Sequence, residues 1–169
     1  IDLAALPFDD FRATVMVDYN SRVLGIQHAT LPNLEAFEAE IGPSRTFCFL
    51  HELEALRAAG LIKGGNTQNA IVIVDQEVPE PQLRRLAELF GKPDIHALPT
   101  GILNNVELRF PNEPARHKLL DLIGDLALLG GPVKAQVMAL RPGHAANHAF
   151  ARKIKDQIKQ KRLIRKYQS

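Results

Sequence analysis

The sequence predicts an α+β fold: a two-layer domain in which a mixed β-sheet packs against α-helices, interrupted by an inserted β-α segment. Three observations predict it. Two runs rich in strand-forming residues lie near the start and flank a turn. Several later stretches carry apolar residues at helical spacing and are closed by glycine or proline. Short apolar strands separate those helices, with no internal repeat and no low-complexity stretch.

The elements follow in order. Phe11 to Val17 and Val23 to Thr30 read as a β-hairpin around Asp18-Tyr19-Asn20-Ser21, whose residues suit a turn. Leu34 to Ile41 has helical spacing, with Asn33 as its N-cap after Pro32. Arg45 to Phe49 is extended and leads into a helix from about Leu50 to Gly60; Gly64-Gly65 then breaks the chain. Ala70 to Val74 is a buried strand by composition. Residues 76–103 are the insertion: a short helix opened by Pro79 and Pro81 and ending at Phe90, then Pro93, Pro99 and Gly101. Val106 to Phe110 alternates as a strand. A helix from Asn112 or Glu113 to Leu129 carries Pro114 in its first turn, where proline is tolerated. Gly130-Gly131-Pro132 stops it, Val133 to Leu140 is a strand, and the chain is helical from His144 to near its end. The organisation is one domain over 1–151 and a basic helical tail, or the start of a linker, over 152–169.

Bulk chemistry narrows the class. A chain of 169 residues with 46% hydrophobic and 24% charged residues is long enough for a core and too apolar to be disordered. Its longest apolar runs fall far short of the roughly 20 residues that span a bilayer, so no transmembrane segment is expected. The single cysteine, Cys48, excludes an internal disulfide framework and fits a reducing, cytoplasmic setting. Ile1, not Met, is the first residue, which leads us to expect a longer polypeptide. The net charge of +2 hides a division. Residues 152–169 hold eight Lys or Arg and one acid, and the rest holds thirteen against eighteen, a net of −5. The body has no Trp and no aromatic-basic platform, so nucleic acid is not an expected partner, and the tail reads as a solvated helix or linker.

Three patterns can carry chemistry. In Arg116-His117-Lys118-Leu119-Leu120-Asp121-Leu122-Ile123-Gly124-Asp125, the residues His117, Asp121 and Asp125 recur every four positions and share one stripe of a helix. A His nitrogen and an Asp oxygen one turn apart can chelate one cation. The same stripe lies opposite the apolar side formed by Ala115, Leu119, Leu122, Ile123 and Leu126, where a solvated face would lie in any case. In Arg141-Pro142-Gly143-His144-Ala145-Ala146-Asn147, a His at a helix start lies near free backbone amides and can serve as an acid or base; it can equally cap the helix or lie on the surface. In Ser44-Arg45-Thr46-Phe47, the Thr46 hydroxyl can donate to a developing oxyanion, or merely pack.

Taken together, Ser-Arg-Thr-Phe (44–47), Gly-Gly-Asn-x-x-Asn-Ala-Ile-Val (64–72), the block at 116–126 and Gly-His-Ala-x-Asn (143–147) occur in order and at suitable distances. From Phe11 to Ile154 the chain resembles the second, C-terminal domain of the UDP-3-O-acyl-N-acetylglucosamine deacetylases of lipid A synthesis. The resemblance implies a zinc-dependent amidohydrolase acting on the N-acetyl amide. His117 and Asp121 match two of three protein zinc ligands. The third ligand and the general-base Glu lie in an N-terminal half absent here, so this chain alone is expected to be inactive. His144 matches the catalytic histidine, Asp125 the carboxylate beside it, and Thr46 the oxyanion hydroxyl. Lys118 and Arg141 match basic positions near the substrate diphosphate, although Lys is more usual at 141. Asp18 and Tyr19 match an acid-aromatic pair at the uracil. Phe47, Leu53, Ile62 and Val72 are the further substrate-contact candidates; the last three would line the acyl channel or are ordinary core. The length of 76–103 resembles the variant fused to a downstream 3-hydroxyacyl-[acyl-carrier-protein] dehydratase, towards which the basic tail would lead.

Two alternatives stay open on the residues alone. One is a scaffold module without chemistry, docking through its basic tail. The other is a self-contained metal hydrolase whose third ligand is His28, His51, His96 or His148.

Overall fold

The computed structural model describes residues 2–58, 70–131 and 133–168. The chain forms an α+β structure, in chain order β1 (Asp2–Pro7), β2 (Phe11–Asp18), β3 (Ile26–Leu31), a 3-10 turn (Leu34–Ala36) running into α1 (Phe37–Glu40), β4 (Phe47–Phe49), α2 (Leu50–Ala58), β5 (Ile71–Ile73), α3 (Glu80–Phe90), α4 (Glu113–Ala127), β6 (Ala135–Leu140) and α5 (His144–Gln168). These elements divide into two compact units.

Unit 1 comprises residues 1–17, 28–43 and 115–169. Its sheet has the order β1-β6-β2-β3. β1 runs antiparallel to β6 with Asp2 opposite Leu140, and β2 runs parallel to β6 with Phe11 opposite Ala135. The sheet is therefore mixed, as expected. Alternation sets its two faces: Phe11, Ala13, Val15 and Val17 of β2 and Ala135, Val137 and Ala139 of β6 are buried. Ala115, Leu119, Leu122 and Leu126, at the i, i+4, i+7, i+11 spacing of one helix side, supply the buried stripe of α4. Asn33 caps the 3-10 turn as read from sequence, its side chain accepting from the Ala36 amide at 3.0 Å. β1 was not anticipated. Its residues are almost all exposed, so it carries no buried alternation to detect.

Unit 2 comprises residues 18–27 and 44–114. Parallel strands β4 and β5 pair Phe47 with Ile71 and Phe49 with Ile73. The chain at 101–103 adds to β5, with Val74 N–H donating to Gly101 O and Leu103 N–H to Val72 O. Leu50, Leu53, Val72, Val74, Leu86, Ile95 and Leu103 form one buried cluster. Residues 76–103 thus contribute Leu86, Ile95 and Leu103 to a shared core and are not an appendage. α3 ends at Gly91 in the left-handed region (φ 60°), which lets the Lys92 amide turn back to Ala87 O at 2.9 Å.

Two expected strands are corrected. Val23 to Gly25 is a turn, and β3 starts only at Ile26. The Ser21 hydroxyl accepts from the amides of Val23 (3.2 Å) and Leu24 (3.4 Å), and Asn20 and Gly25 take positive φ, so this stretch cannot join a ladder. Val106 to Phe110 is not a strand. Its backbone is claimed by side chains instead: the Arg45 guanidinium donates to Glu107 O, and Arg109 N–H donates to Glu113 Oε2 at 2.7 Å. The fully buried Glu113 also accepts from Arg45 N and Nε, both at 2.9 Å, and from the terminal nitrogen at 3.0 Å.

Candidate metal and catalytic centre

The centre lies in unit 1, where α4 faces the first turn of α5. α4 has its apolar stripe buried, which leaves the row His117, Asp121 and Asp125 on a neighbouring side of the helix. That row is not the solvated face that helical spacing alone allowed. The side chains of His117 and Asp121 are 16% and 14% exposed, and that of Asp125 is 11% exposed. The β6–α5 corner supplies the rest. Arg141 holds a positive φ of 50° and its N–H donates to Met16 O at 2.7 Å, which anchors the corner to the sheet. Pro142 is buried, and the Asn147 amide bonds Gly143 O at 2.9 Å, so the helix begins squarely at His144.

Asp125 is the hub. Its Oδ2 accepts from His144 Nδ1 and from Asn147 Nδ2, each at 2.9 Å, and its Oδ1 accepts from His148 Nε2, again at 2.9 Å. Burial pushes the Asp125 pKa up, but the hydrogen bonds from Asn147, His144 and His148 and the charge of His144 outweigh it and hold the carboxyl below its ordinary value. Asp125 is therefore ionised at neutral pH and can only accept. This assigns a proton to His144 Nδ1 and leaves Nε2 as the ring nitrogen not bonded to Asp125. That Nε2 lies 4.0 Å from Asp121 Oδ2, on a side chain 64% exposed.

Asp121 meets three cationic or imidazole groups. Its Oδ1 lies 3.4 Å from His117 Nε2, and its Oδ2 accepts from Lys118 Nζ at 3.0 Å and faces His144. Two ligand atoms on a tetrahedral zinc are separated by about 3.3 Å, given bond lengths near 2.0–2.1 Å. The His117–Asp121 separation matches that edge. Asp125, His144 and His148 also bring three potential ligand atoms within 4.8 Å of one another. Their 2.9 Å contacts are shorter than the ligand edge and are those of charge-assisted hydrogen bonds, so this trio forms a clamp, whereas the His117–Asp121 separation has the length of a ligand edge.

The other expected site residues fall in different places. Lys118 and Arg141 belong to unit 1; Lys118 is held by Asp121, and Arg141 is exposed. Asp18, Tyr19, Thr46, Phe47, Leu53 and Val72 belong to unit 2. Asp18 accepts from the Asn20 amide at 2.9 Å and shapes the turn. The Tyr19 ring meets Phe47 edge-on at 5.3 Å. Thr46 is exposed, and its carbonyl accepts from Ile71 N at 2.9 Å. Leu53 and Val72 sit in the packed cluster described above. Ile62 and the Gly64-Gly65 motif lie outside the described residues. Of the candidate third ligands, His148 is engaged by Asp125, His96 is bonded to Asp94 O and Asn104, and His51 pairs with Asp75. Among the described residues no three-ligand group includes His117 and Asp121.

Comparison with known proteins decides the family. The family model described as UDP-3-O-acyl N-acetylglycosamine deacetylase (LpxC) matches residues 2–90 and 95–156. The chain belongs to the LpxC family. A bifunctional enzyme LpxC/FabZ from Chlorobaculum tepidum is 54% identical over 171 residues, covering 99% of this chain and 37% of that protein. A second enzyme of that name, from Bacteroides thetaiotaomicron, is 45% identical over 157 residues, or 93% of this chain and 34% of that protein. A UDP-3-O-acyl-N-acetylglucosamine deacetylase from Chlamydia pneumoniae is 39% identical over 160 residues, or 94% of this chain and 48% of that protein. The chain thus spans between about a third and a half of the length of these LpxC relatives. Among the described residues, no helix is long and apolar enough to cross a membrane.

Sequence reasoning missed two features of this LpxC chain. One is the role of Asn147 and His148 as donors to Asp125; their spacing of three and four from His144 puts all three on one helix side and was the available signal. The other is the Arg45–Glu113 pair, 68 residues apart, for which the sequence offers no local sign.

Proposed function

We propose that this chain supplies the C-terminal half of the active site of a zinc-dependent deacetylase, which hydrolyses the N-acetyl amide of UDP-3-O-(3-hydroxyacyl)-N-acetylglucosamine and releases acetate in lipid A synthesis. The observation that carries the reading is the convergence of the His117–Asp121 pair and the clamped His144 on one side of α4. His117 and Asp121 would hold the zinc, with the third ligand and the general base supplied by the N-terminal half of the same enzyme. When bound, zinc acts as a Lewis acid and brings the pKa of water to about 7.

The chain's own residues do the rest. His144 presents Nε2 to the reaction and, oriented by the ionised Asp125 on Nδ1, can neutralise charge in the transition state and protonate the leaving amine. The Thr46 hydroxyl donates to the developing oxyanion. Lys118 and Arg141 take the diphosphate, and Arg141, in place of Lys, offers it a forked donor. Asp18 and Tyr19 meet the uracil. Leu53, Ile62 and Val72 would line the channel for the acyl chain, and Phe47 is a further substrate contact. The enzyme is cytoplasmic on this reading and, like the relatives named LpxC/FabZ, would belong to a bifunctional fusion.

The scaffold alternative makes no use of the His117–Asp121 pair or of the exposed His144 ring beside it. The full-length polypeptide separates the two readings. His144→Ala should lower the deacetylation kcat by about a hundredfold or more, and removing residues 152–169 should leave the chemistry in place. A normal rate in His144→Ala together with loss of function on removing 152–169 would favour docking through the tail.

A further inference from the structure

The clamp on Asp125 contains a donor that the proposed reaction does not use. His148 Nε2 lies 2.9 Å from Asp125 Oδ1, whereas His144 Nδ1 and Asn147 Nδ2 both bond Oδ2. An Asp carboxylate has a broad, two-fold terminal torsion. Held through Oδ2 alone, it can swing about its Cβ–Cγ bond and carry the His144 ring with it. A donor on Oδ1 fixes the carboxylate plane. Because Asp125 is ionised and only accepts, His148 carries its proton on Nε2. The bond joins a charged acceptor, 11% exposed, to a ring 43% exposed. That ring also lines an open groove with Leu128, Arg152 and Lys155. The His148 ring therefore meets the site through a directed N–H to Asp125 and a tilted ring contact with His144 at 6.2 Å between centroids.

We propose that His148 is a positioning residue: its Nε2–H locks Asp125 so that Oδ2 holds the His144 imidazole in its working orientation. The proposal rests on the deacetylase reading above. Outer partners of this kind are typically worth about ten- to a hundredfold in activity at related metal sites.

The test uses the full-length polypeptide with zinc. Against wild type, His148→Ala should lower kcat by about tenfold with KM unchanged, because an orientation effect appears in the transition state alone. His148→Gln, which keeps an N–H donor of similar reach, should recover most of the rate. In proton NMR of the same proteins, the hydrogen-bonded Nδ1–H of His144 should give a slowly exchanging downfield signal in wild type and His148→Gln and a broadened one in His148→Ala. Unchanged kcat in His148→Ala, or equal losses in the Ala and Gln variants, would overturn the proposal. His144→Ala serves as the reference. A normal rate there would refute the deacetylase reading itself, whereas a collapsed rate beside a normal His148→Ala would refute the positioning role only.

Discussion

Asp125 concentrates the energetics of the site at the scale of a single residue. Its carboxyl is held below the ordinary value of 3.8 because three side-chain donors outweigh burial. A depressed pKa means the folded state prefers the ion, so the stabilisation is complete above 3.8 and is lost as pH falls below that value towards the folded pKa. We expect the thermal midpoint of wild type to fall across that acid window and that of Asp125→Asn to stay flatter there; parallel curves would contradict the role of the clamp. The grouping of the candidate residues was partly legible at this scale. The spacing of 117, 121 and 125 and the Gly143-His144 corner are local patterns. What spacing could not supply was burial: a stripe at a given angle can be wet or dry, and only α5 lying over Asp125 makes it dry. Nor could the sequence show the positive φ of Arg141, which the bulk of the side chain disfavours and the bond to Met16 O maintains.

Elements depend on a few long-range fixings. α4 opens with Glu113, a carboxylate without solvent exposure that accepts four hydrogen bonds from Arg45 and Arg109. Burial raises its pKa, the bonds from both arginines and the Arg45 charge lower it, and the lowering wins. Arg45→Ala leaves that charge buried without its main partner and should cost about 3–5 kcal/mol in urea unfolding; a cost under about 1 kcal/mol, the worth of an exposed pair, would show the pair to be marginal. The expected strand at 106–110 failed for the same reason, since alternating residues cannot reveal that their amides and carbonyls are already taken. Gly101 fixes the chain where it joins β5. It holds φ 71°, and a Cβ there would lie 1.8 Å from Val23 Cγ1. Gly101→Ala should therefore destabilise by about 3 kcal/mol through strain and overpacking, measurable as a lower thermal midpoint. An unchanged midpoint would mean the turn relaxes freely. α3, α4 and the start of α5 were read to within a residue or two because their bounds are chemical, such as Gly91 after α3 and Gly143 before α5, whereas the expected end of the helix from Leu50 at Gly60 lies outside the described residues.

At the scale of the whole molecule, the mixed sheet and the order of its helices followed from the pattern of apolar residues, whereas β1 did not, because an exposed edge strand leaves no such pattern. The division into two units is likewise a matter of contacts far apart in sequence. Family membership matters here because His117 and Asp121 are a pair and a catalytic zinc needs three protein ligands. The chain, spanning 37% of the Chlorobaculum tepidum enzyme, is read as one side of a shared centre. The most direct test is the zinc content of the full-length polypeptide after dialysis, in wild type, His117→Ala and Asp121→Ala, with circular dichroism to show that each is folded. We expect stoichiometric zinc in wild type and its loss, with the deacetylase activity, in both variants. Retention of stoichiometric zinc by folded His117→Ala or Asp121→Ala protein would contradict the assignment of this pair as ligands.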